Sequence, residues 1–417
     1  MSPGESHRDI RDTHCQGATP NEAGPIMAES DLLPRPDIDI DEVARYRLGR
    51  VRRELIARDI DAALLTSPVS LRYAVDFREY QLFQSRIPTF LLVVPAEGDV
   101  VMYGASQAVP LVDQIRPGLS LNTFERGLAA GGRSERLLGD IAREFAGRGG
   151  RLAVERMHTA DIAVLRRCTG VVDADPLIES ARSVKSAGEL ACMRHSIAVA
   201  GHAMDLMQRE LRPGVTENEL LAVIHRVNIA NDGSWLDGRM LASGPRTNPW
   251  LQEATDKTVA AGELVGLDTD MIGPFGYCAD ISRTFLCGDG EATPAQRDLY
   301  RHAYEEVHHN IGLIAPGVGF RELSQRAFKV RPEFMAHRYP CLAHGVGMTD
   351  EWPSIRYFAD WHRGGFDGVI EENMTLCVES FTGAESGGEG VKLEQMVHVT
   401  GDGCELLSDY PFEPRLL

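Results

Sequence analysis

The sequence predicts two folded domains, an α/β domain over residues 39–178 and a second domain of helices and strands over residues 179–417, preceded by an extended arm at residues 1–38. Three observations predict this. Strand-like runs alternate with helical spacing as far as about residue 175, which is the pattern of an α/β layer. A long helical stretch with its own start signal then opens a new unit. Beyond it, strand-like runs recur that carry acids among their apolar residues.

The arm, "MSPGESHRDIRDTHCQGATPNEAGPIMAESDLLPRPDI", is rich in Pro, Gly and charge and shows little periodicity. Helical spacing begins with the apolar stripe Val43, Tyr46, Leu48, Val51, Leu55 and Ile56. "AALLTS", "TFLLVVPAEGDVVMYGA" and "RLAVERM" read as strands, separated by a helical stretch around residues 134–147. Ser186 followed by Glu189 forms a capping box that starts "AGELACMRHSIAVAGHAMDLMQREL". Further helices are predicted around 216–232 and 294–314, with strand-like runs at 238–243, 265–286, 374–381 and 391–400. No short-period repeat or low-complexity tract interrupts this order.

Composition narrows the function classes. At 417 residues, with 43% hydrophobic and 25% charged residues, the chain has the make-up of a soluble globular protein. A net charge of -18 disfavours nucleic acid and anionic membrane as partners and leaves a small-molecule substrate. The eight cysteines include no Cys-x-x-Cys pair, which fits reduced thiols, and no basic-then-apolar leader opens the chain. Cytoplasmic residence is therefore expected.

The segment "GLDTDMIGPFGYCADISRTF" sets Asp268, Asp270 and Asp280 in a stretch that otherwise reads as a hairpin. Asp is depleted in strands, and clustered carboxylates repel. Alternation puts Asp268 and Asp270 on one face, a turn at Gly273, Pro274 and Gly276 returns the chain, and Asp280 then faces the pair. The pattern asks for a cation, although a solvated hairpin is the bland reading. Three later segments resemble it: "CLAHGVGM" with His344, "MTLCVESF" with Glu379 and "GVKLEQMVHV" with Glu394. Each acid alone also suits a surface or cap, and the histidine alone suits a core. Together, five carboxylates and one imidazole without a thiolate form a hard donor set for two bridged divalent ions. Iron or manganese is favoured, with cobalt, nickel or zinc also admissible.

The order Asp268, Asp280, His344, Glu379, Glu394, with "DISRTF", "HGVG" and "KLE" before "VHVT", resembles the pita-bread metallopeptidase superfamily of aminopeptidase P, prolidase, methionine aminopeptidase and the creatinases. In the first domain, "SPVSLRYAVDF" is similar to a stretch of creatinase-type amino-terminal domains. The resemblance implies a creatinase-like α/β domain, an α+β pita-bread catalytic domain and a homodimer. Two departures stand out. Trp250 replaces the histidine that proline-specific peptidases carry in the segment before the first ligand. Asp350 and Glu351 occupy the region of their second imidazole. Asp270 is added as a sixth candidate ligand.

"LASGPRTNPW", "DTD", "DISRTF", "CLAHGVGMTDEWP" and "MTLCVE" together resemble the metal-dependent dimethylsulfoniopropionate lyases of this fold. That resemblance implies β-elimination to dimethyl sulfide and acrylate, with Asp350 as the base. Trp250, Tyr339 and Trp352 are candidate aromatic contacts for a sulfonium cation, and ordinary core residues otherwise. Arg283 is expected to pair with a ligand carboxylate. The alternatives are a metal-dependent Xaa-Pro peptidase and a metal-free binding protein on the same fold.

Overall fold

The computed structural model describes residues 31–118 and 133–417, so most of the predicted arm lies outside the described residues. Asp39 caps helix α1 (Ile40–Ala57) by accepting from the Glu42 N–H, and Val43, Leu48, Val51 and Leu55 turn inward. Ile56, counted in the predicted stripe, lies one step around the helix from Leu55 and is exposed. Six strands form the first sheet: β1 (Ala62–Leu65), β2 (Leu91–Pro95), β3 (Val101–Tyr103), β4 (Gln114–Arg116), β5 (Arg151–Val154) and β6 (Gly170–Asp173). Their order is β4-β3-β2-β1-β5-β6, with β1 antiparallel to β2 and parallel to β5. Helices α2 (Pro68–Val75), α3 (Gln81–Arg86), α4 (Arg133–Phe145), α5 (Thr159–Arg166) and α6 (Asp175–Ser183) complete this part.

Helix α7 (Ala187–Glu210) starts at the predicted capping box, with both reciprocal hydrogen bonds between Ser186 and Glu189 formed. Helices α8 (Glu217–Ala230), α9 (Pro294–Ile311) and α10 (Phe320–Arg326) follow along the chain. One apolar cluster joins Val51 and Leu55 of α1 to Met193 and Met204 of α7, Leu220 of α8, and Leu267, Met271 and Ala279 of the hairpin segment. The two parts therefore share a core.

The hairpin segment is not one ladder. Strands β7 (Trp235–Leu236), β8 (Leu241–Ser243), β9 (Leu264–Asp268), β10 (Met271–Ile272), β11 (Cys278–Ala279) and β12 (Ser282–Leu286) divide into two sheets, β12-β9-β8 and β11-β10-β7. The break falls at Thr269–Asp270 on one arm and Asp280–Ile281 on the other, and Asp270 adopts φ 36°. Strict alternation consequently fails there, and Asp270 reaches its neighbours through a left-handed residue instead of a shared strand face. Thr269 holds the break: its hydroxyl donates to the Ala279 carbonyl at 2.7 Å and accepts from the Ile281 N–H at 2.9 Å.

A five-stranded antiparallel sheet, β14-β13-β15-β16-β17, is built from β13 (Ala343–Val346), β14 (Asp350–Ile355), β15 (Thr375–Gly383), β16 (Gly390–Val399) and β17 (Cys404–Leu406). Thr284 of β12 links the sheets, donating to the Lys392 carbonyl at 3.0 Å and accepting from the Lys392 N–H at 3.1 Å. Helix α9 packs behind β15 and β16. Thr269→Val keeps the shape and removes both side-chain hydrogen bonds, leaving the Ile281 N–H without this acceptor. The variant should lose about 1–3 kcal/mol in urea denaturation, and an unchanged midpoint would show that the break holds without them.

Candidate metal centre

Residues 379 and 394 pair directly across β15 and β16, and both glutamates are fully buried. Like charges placed opposite one another destabilise a sheet unless something neutralises them. Asp268 and Ser282 form the corresponding cross-strand pair of β9 and β12, and His344 of β13 faces Cys377 of β15. These strand faces converge. His344 Nε2 lies 3.6 Å from Asp280 Oδ2, 3.4 Å from Glu379 Oε1 and 3.5 Å from Glu394 Oε1. Its Nδ1 lies 2.9 Å from the Gly345 carbonyl, and donation there turns Nε2 toward the carboxylates.

Two groups of donor atoms, each within 4.8 Å of one another, share Asp280: Asp268, Asp270 and Asp280, and Asp280, His344, Cys377 and Glu394. Glu379 joins through the contacts already given. The structure thus brings together all six residues proposed as ligands. It also adds a thiol that is absent from the predicted donor set, with Cys377 Sγ 3.5 Å from Asp280 Oδ2.

Lys392 lies at the centre of the same space, fully buried. Its ammonium is 3.0 Å from Asp268 Oδ2, 2.9 Å from Glu379 Oε2 and 3.2 Å from Glu394 Oε2, and it donates to Ser282 Oγ at 2.7 Å. One ammonium does not satisfy the cluster. Asp268 Oδ1, Asp280 Oδ1 and Glu394 Oε1 are buried without a hydrogen-bond partner among the described residues. Orphaned carboxylate oxygens aimed into a donor-rich space fit divalent cations.

The proton affinities express the same shortage of positive charge. Burial, then the charges of Asp268, Asp350 and Glu394, push the Asp270 carboxyl up to about 9. Burial and the neighbouring acids Glu394 and Asp268 raise Asp280 well above its ordinary value, and burial raises Glu379 to about 7 against the pull of Lys392. Burial works against ionisation of Glu394 too, but Lys392 and His344 outweigh it and hold that carboxyl low.

Arg283 departs from the expected pairing. Alternation along β12 gives the cluster face to Ser282, whose hydroxyl donates to Glu394 Oε2 at 2.8 Å. Arg283 points the other way, donating to the Glu394 backbone carbonyl at 2.6 Å and stacking 4.2 Å over Phe412. Trp250 and Tyr339 pack with Met240 and Phe381 beside Lys392, whose ammonium lies 4.6 Å from the Tyr339 ring centre. Trp352 is not brought to them. Its ring packs with Phe320 and Phe366, at centroid distances of 5.5 and 6.3 Å.

Asp350 stands at the mouth, with 61% of its side chain exposed and Oδ1 3.8 Å from His344 Nδ1. The protein packed behind it displaces water and raises its pKa, while His344 pulls the other way. The glycines of "HGVG" make this turn feasible. A Cβ on Gly345 would collide with the Trp352 carbonyl, and one on Gly347 with the Glu351 carboxylate.

A family model described as Metallopeptidase family M24 matches residues 191–401, and one described as Creatinase/Prolidase N-terminal domain matches residues 47–184. The chain belongs to metallopeptidase family M24. Among curated relatives, dimethylsulfoniopropionate lyase DddP of Roseovarius nubinhibens is 34% identical over 396 residues, covering 91% of this chain and 88% of that protein. The same-named lyase of Roseobacter denitrificans is 34% identical over 394 residues with the same coverage, so this M24 chain falls in the branch that holds these lyases. In fold it is similar to an Xaa-Pro dipeptidase from Bacillus anthracis, with a TM-score of 0.70 at 21% identity over 89% of this chain and 99% of that one. An X-Pro aminopeptidase from Thermotoga maritima gives a TM-score of 0.70 at 20% identity, covering 88% and 98%. The expected fold class, creatinase-like α/β followed by α+β pita-bread, is thereby borne out.

In the metal-free M24 protein, each raised carboxyl keeps a proton that the unfolded chain has lost. The associated stability is present below the unfolded values, 3.8 for Asp270 and 4.5 for Glu379, and is lost as pH rises towards about 9 and about 7. Glu394 shifts the other way, and its contribution is constant above its unfolded value of 4.5. Calorimetry of chelator-treated protein should therefore show Tm falling between pH 6 and 8.5, and manganese should raise Tm more at the higher pH. An equal gain at both would contradict the assignment.

Proposed function

We propose that the protein is a dinuclear-metal lyase that splits dimethylsulfoniopropionate into dimethyl sulfide and acrylate. The observation that carries this reading is Asp350, an acid at the mouth of the carboxylate cluster where proline-specific relatives are expected to carry an imidazole. Likeness to two lyases over 91% of the chain supports it.

Asp350 takes the proton from the carbon next to the substrate carboxylate. The electrons of that C–H bond form the C=C bond, and the C–S pair leaves with sulfur as neutral dimethyl sulfide. A pKa above the ordinary aspartate value strengthens the base, and its exposed outer face lets the captured proton pass to water. Divalent ions held by Asp268, Asp270, Asp280, His344, Glu379 and Glu394 would bind the substrate carboxylate and offset the negative charge that builds beside it. The oxygen-rich donor set with one imidazole suits iron or manganese. Trp250 and Tyr339 are the proposed aromatic contacts, each ring contributing about 0.5–2 kcal/mol to holding a sulfonium.

A peptidase needs groups that activate water and steady a tetrahedral intermediate. Trp250 answers neither need: it is buried and stacked on Phe381 at 6.0 Å. We also infer a cytoplasmic homodimer. The described cysteines are all free thiols, and no described helix is long and apolar enough to cross a membrane.

Metal-reconstituted protein should release dimethyl sulfide from dimethylsulfoniopropionate and no amino acid from Xaa-Pro dipeptides. Asp350→Asn should lower kcat by about 10²–10⁴-fold with metal content unchanged. Undiminished elimination in the variant would remove Asp350 from the reaction, and dipeptide cleavage without sulfide release would favour the peptidase.

A further inference from the structure

The turn that carries Asp350 is gripped from helix α6 and the segment just after it, at the junction of the two domains. Glu351, next in the chain, turns its carboxylate away from the metal cluster and into a site where 1% of its side chain is exposed. There Oε1 accepts from Arg182 Nε at 2.9 Å and its terminal nitrogen at 2.7 Å, and Oε2 accepts from Lys185 Nζ at 2.8 Å. Oε1 also takes the Met348 N–H at 2.9 Å, closing the turn on itself. On the far side of Asp350, Glu179 of α6 accepts the Trp352 N–H at 2.7 Å, and its other oxygen lies 3.3 Å from Arg182. The near side is tied as well, with the Thr349 hydroxyl donating to Asp237 at 3.0 Å and the Gly347 carbonyl accepting from the Cys278 N–H at 2.7 Å.

Two cations against two carboxylates leave this group balanced, and the paired charges hold Glu351 below its ordinary pKa although burial opposes ionisation. Buried ion pairs of this kind contribute little net stability, because desolvation consumes most of the attraction. What a guanidinium donating twice to one carboxylate oxygen and a second cation on the other oxygen do supply is a fixed geometry. The residue so fixed is covalently next to the proposed base.

We propose that Glu351 is a positioning residue for Asp350, and that Arg182 and Lys185 make the junction between the two domains part of the active-site framework. The inference rests on the lyase reading for its effect on rate, but not for its effect on the turn. A misplacement of the base by about 1 Å costs on the order of 10²-fold in rate, whereas substrate binding to the metal cluster is untouched.

The test is Glu351→Gln in the full-length, metal-reconstituted protein, with Lys185→Met as a second variant that leaves the Arg182 contact in place. Glu351→Gln should lower kcat for sulfide release by about 10²-fold with KM and metal content within about twofold of the parent. Combined with Asp350→Asn, it should cost nothing beyond Asp350→Asn alone, since a base already lost cannot be misplaced. Amide hydrogen exchange supplies a readout independent of substrate. Residues 347–352 should exchange faster in both variants while α7 and β15 keep their protection.

Multiplying losses in the double variant, a KM change that accounts for the loss, or unchanged exchange in the turn would each overturn the proposal. Loosened exchange in a protein whose parent releases no sulfide would overturn the lyase reading and leave the clamp standing.

Discussion

Four buried carboxylates and a half-buried fifth share a space that holds one ammonium and one imidazole. Two like charges 4 Å apart repel by about 4 kcal/mol at an effective dielectric of 20, so the cluster cannot remain fully ionised with Lys392 as its only permanent cation. Either protons stay bound, as the raised pKa values of Asp270, Asp280 and Glu379 express, or positive charge enters from outside. Much of the second domain serves this constraint. Thr269 breaks the hairpin so that Asp268 and Asp280 converge, Thr284 locks β12 to β16, and the Glu379–Glu394 pair is covered from behind by α9.

The same framework explains how one fold can serve different reactions. Asp268, Glu379, Glu394 and His344 lie on paired strands, where register fixes them, and Asp270 and Asp280 lie at the break between the two small sheets, whereas Trp250 lies outside the strands and Asp350 at the first residue of β14. In the proposed lyase, substitution at those two positions changes which proton can be moved without disturbing the donor set. Trp250 fills the space beside Lys392 with an apolar surface, and Asp350 offers a carboxylate whose outer face reaches water. The junction between the two domains enters through Glu179, Arg182 and Lys185, which hold the turn bearing Asp350.

The parts of this arrangement legible in the sequence were those governed by a simple period. Acids at strand positions, and the face shared by Cys377 and Glu379, follow from alternation, as does the capped start of α7 from its box. Alternation also misled. It put Asp270 on the face of Asp268, where the chain instead kinks through a left-handed residue. It does separate Ser282 from Arg283: the small hydroxyl, not the expected guanidinium, meets the Glu394 carboxylate, and Arg283 reaches the Glu394 backbone carbonyl. Lys392 has no role legible in the sequence, because a buried ammonium is uncommon and two of its partners, Asp268 and Glu379, come from other strands. Trp352 was placed by proximity in sequence, yet its ring packs with Phe320 and Phe366. No local pattern announces the Arg182–Glu351 contact, which joins residues 169 positions apart.

If the carboxylate cluster holds two divalent ions, crystals grown with manganese should show two anomalous diffraction peaks, one among Asp268, Asp270 and Asp280 and one among Asp280, His344 and Glu394, with Glu379 reaching the pair. An anomalous map with no peak in this space, and Lys392 as the sole cation among the carboxylates, would contradict the two-ion centre.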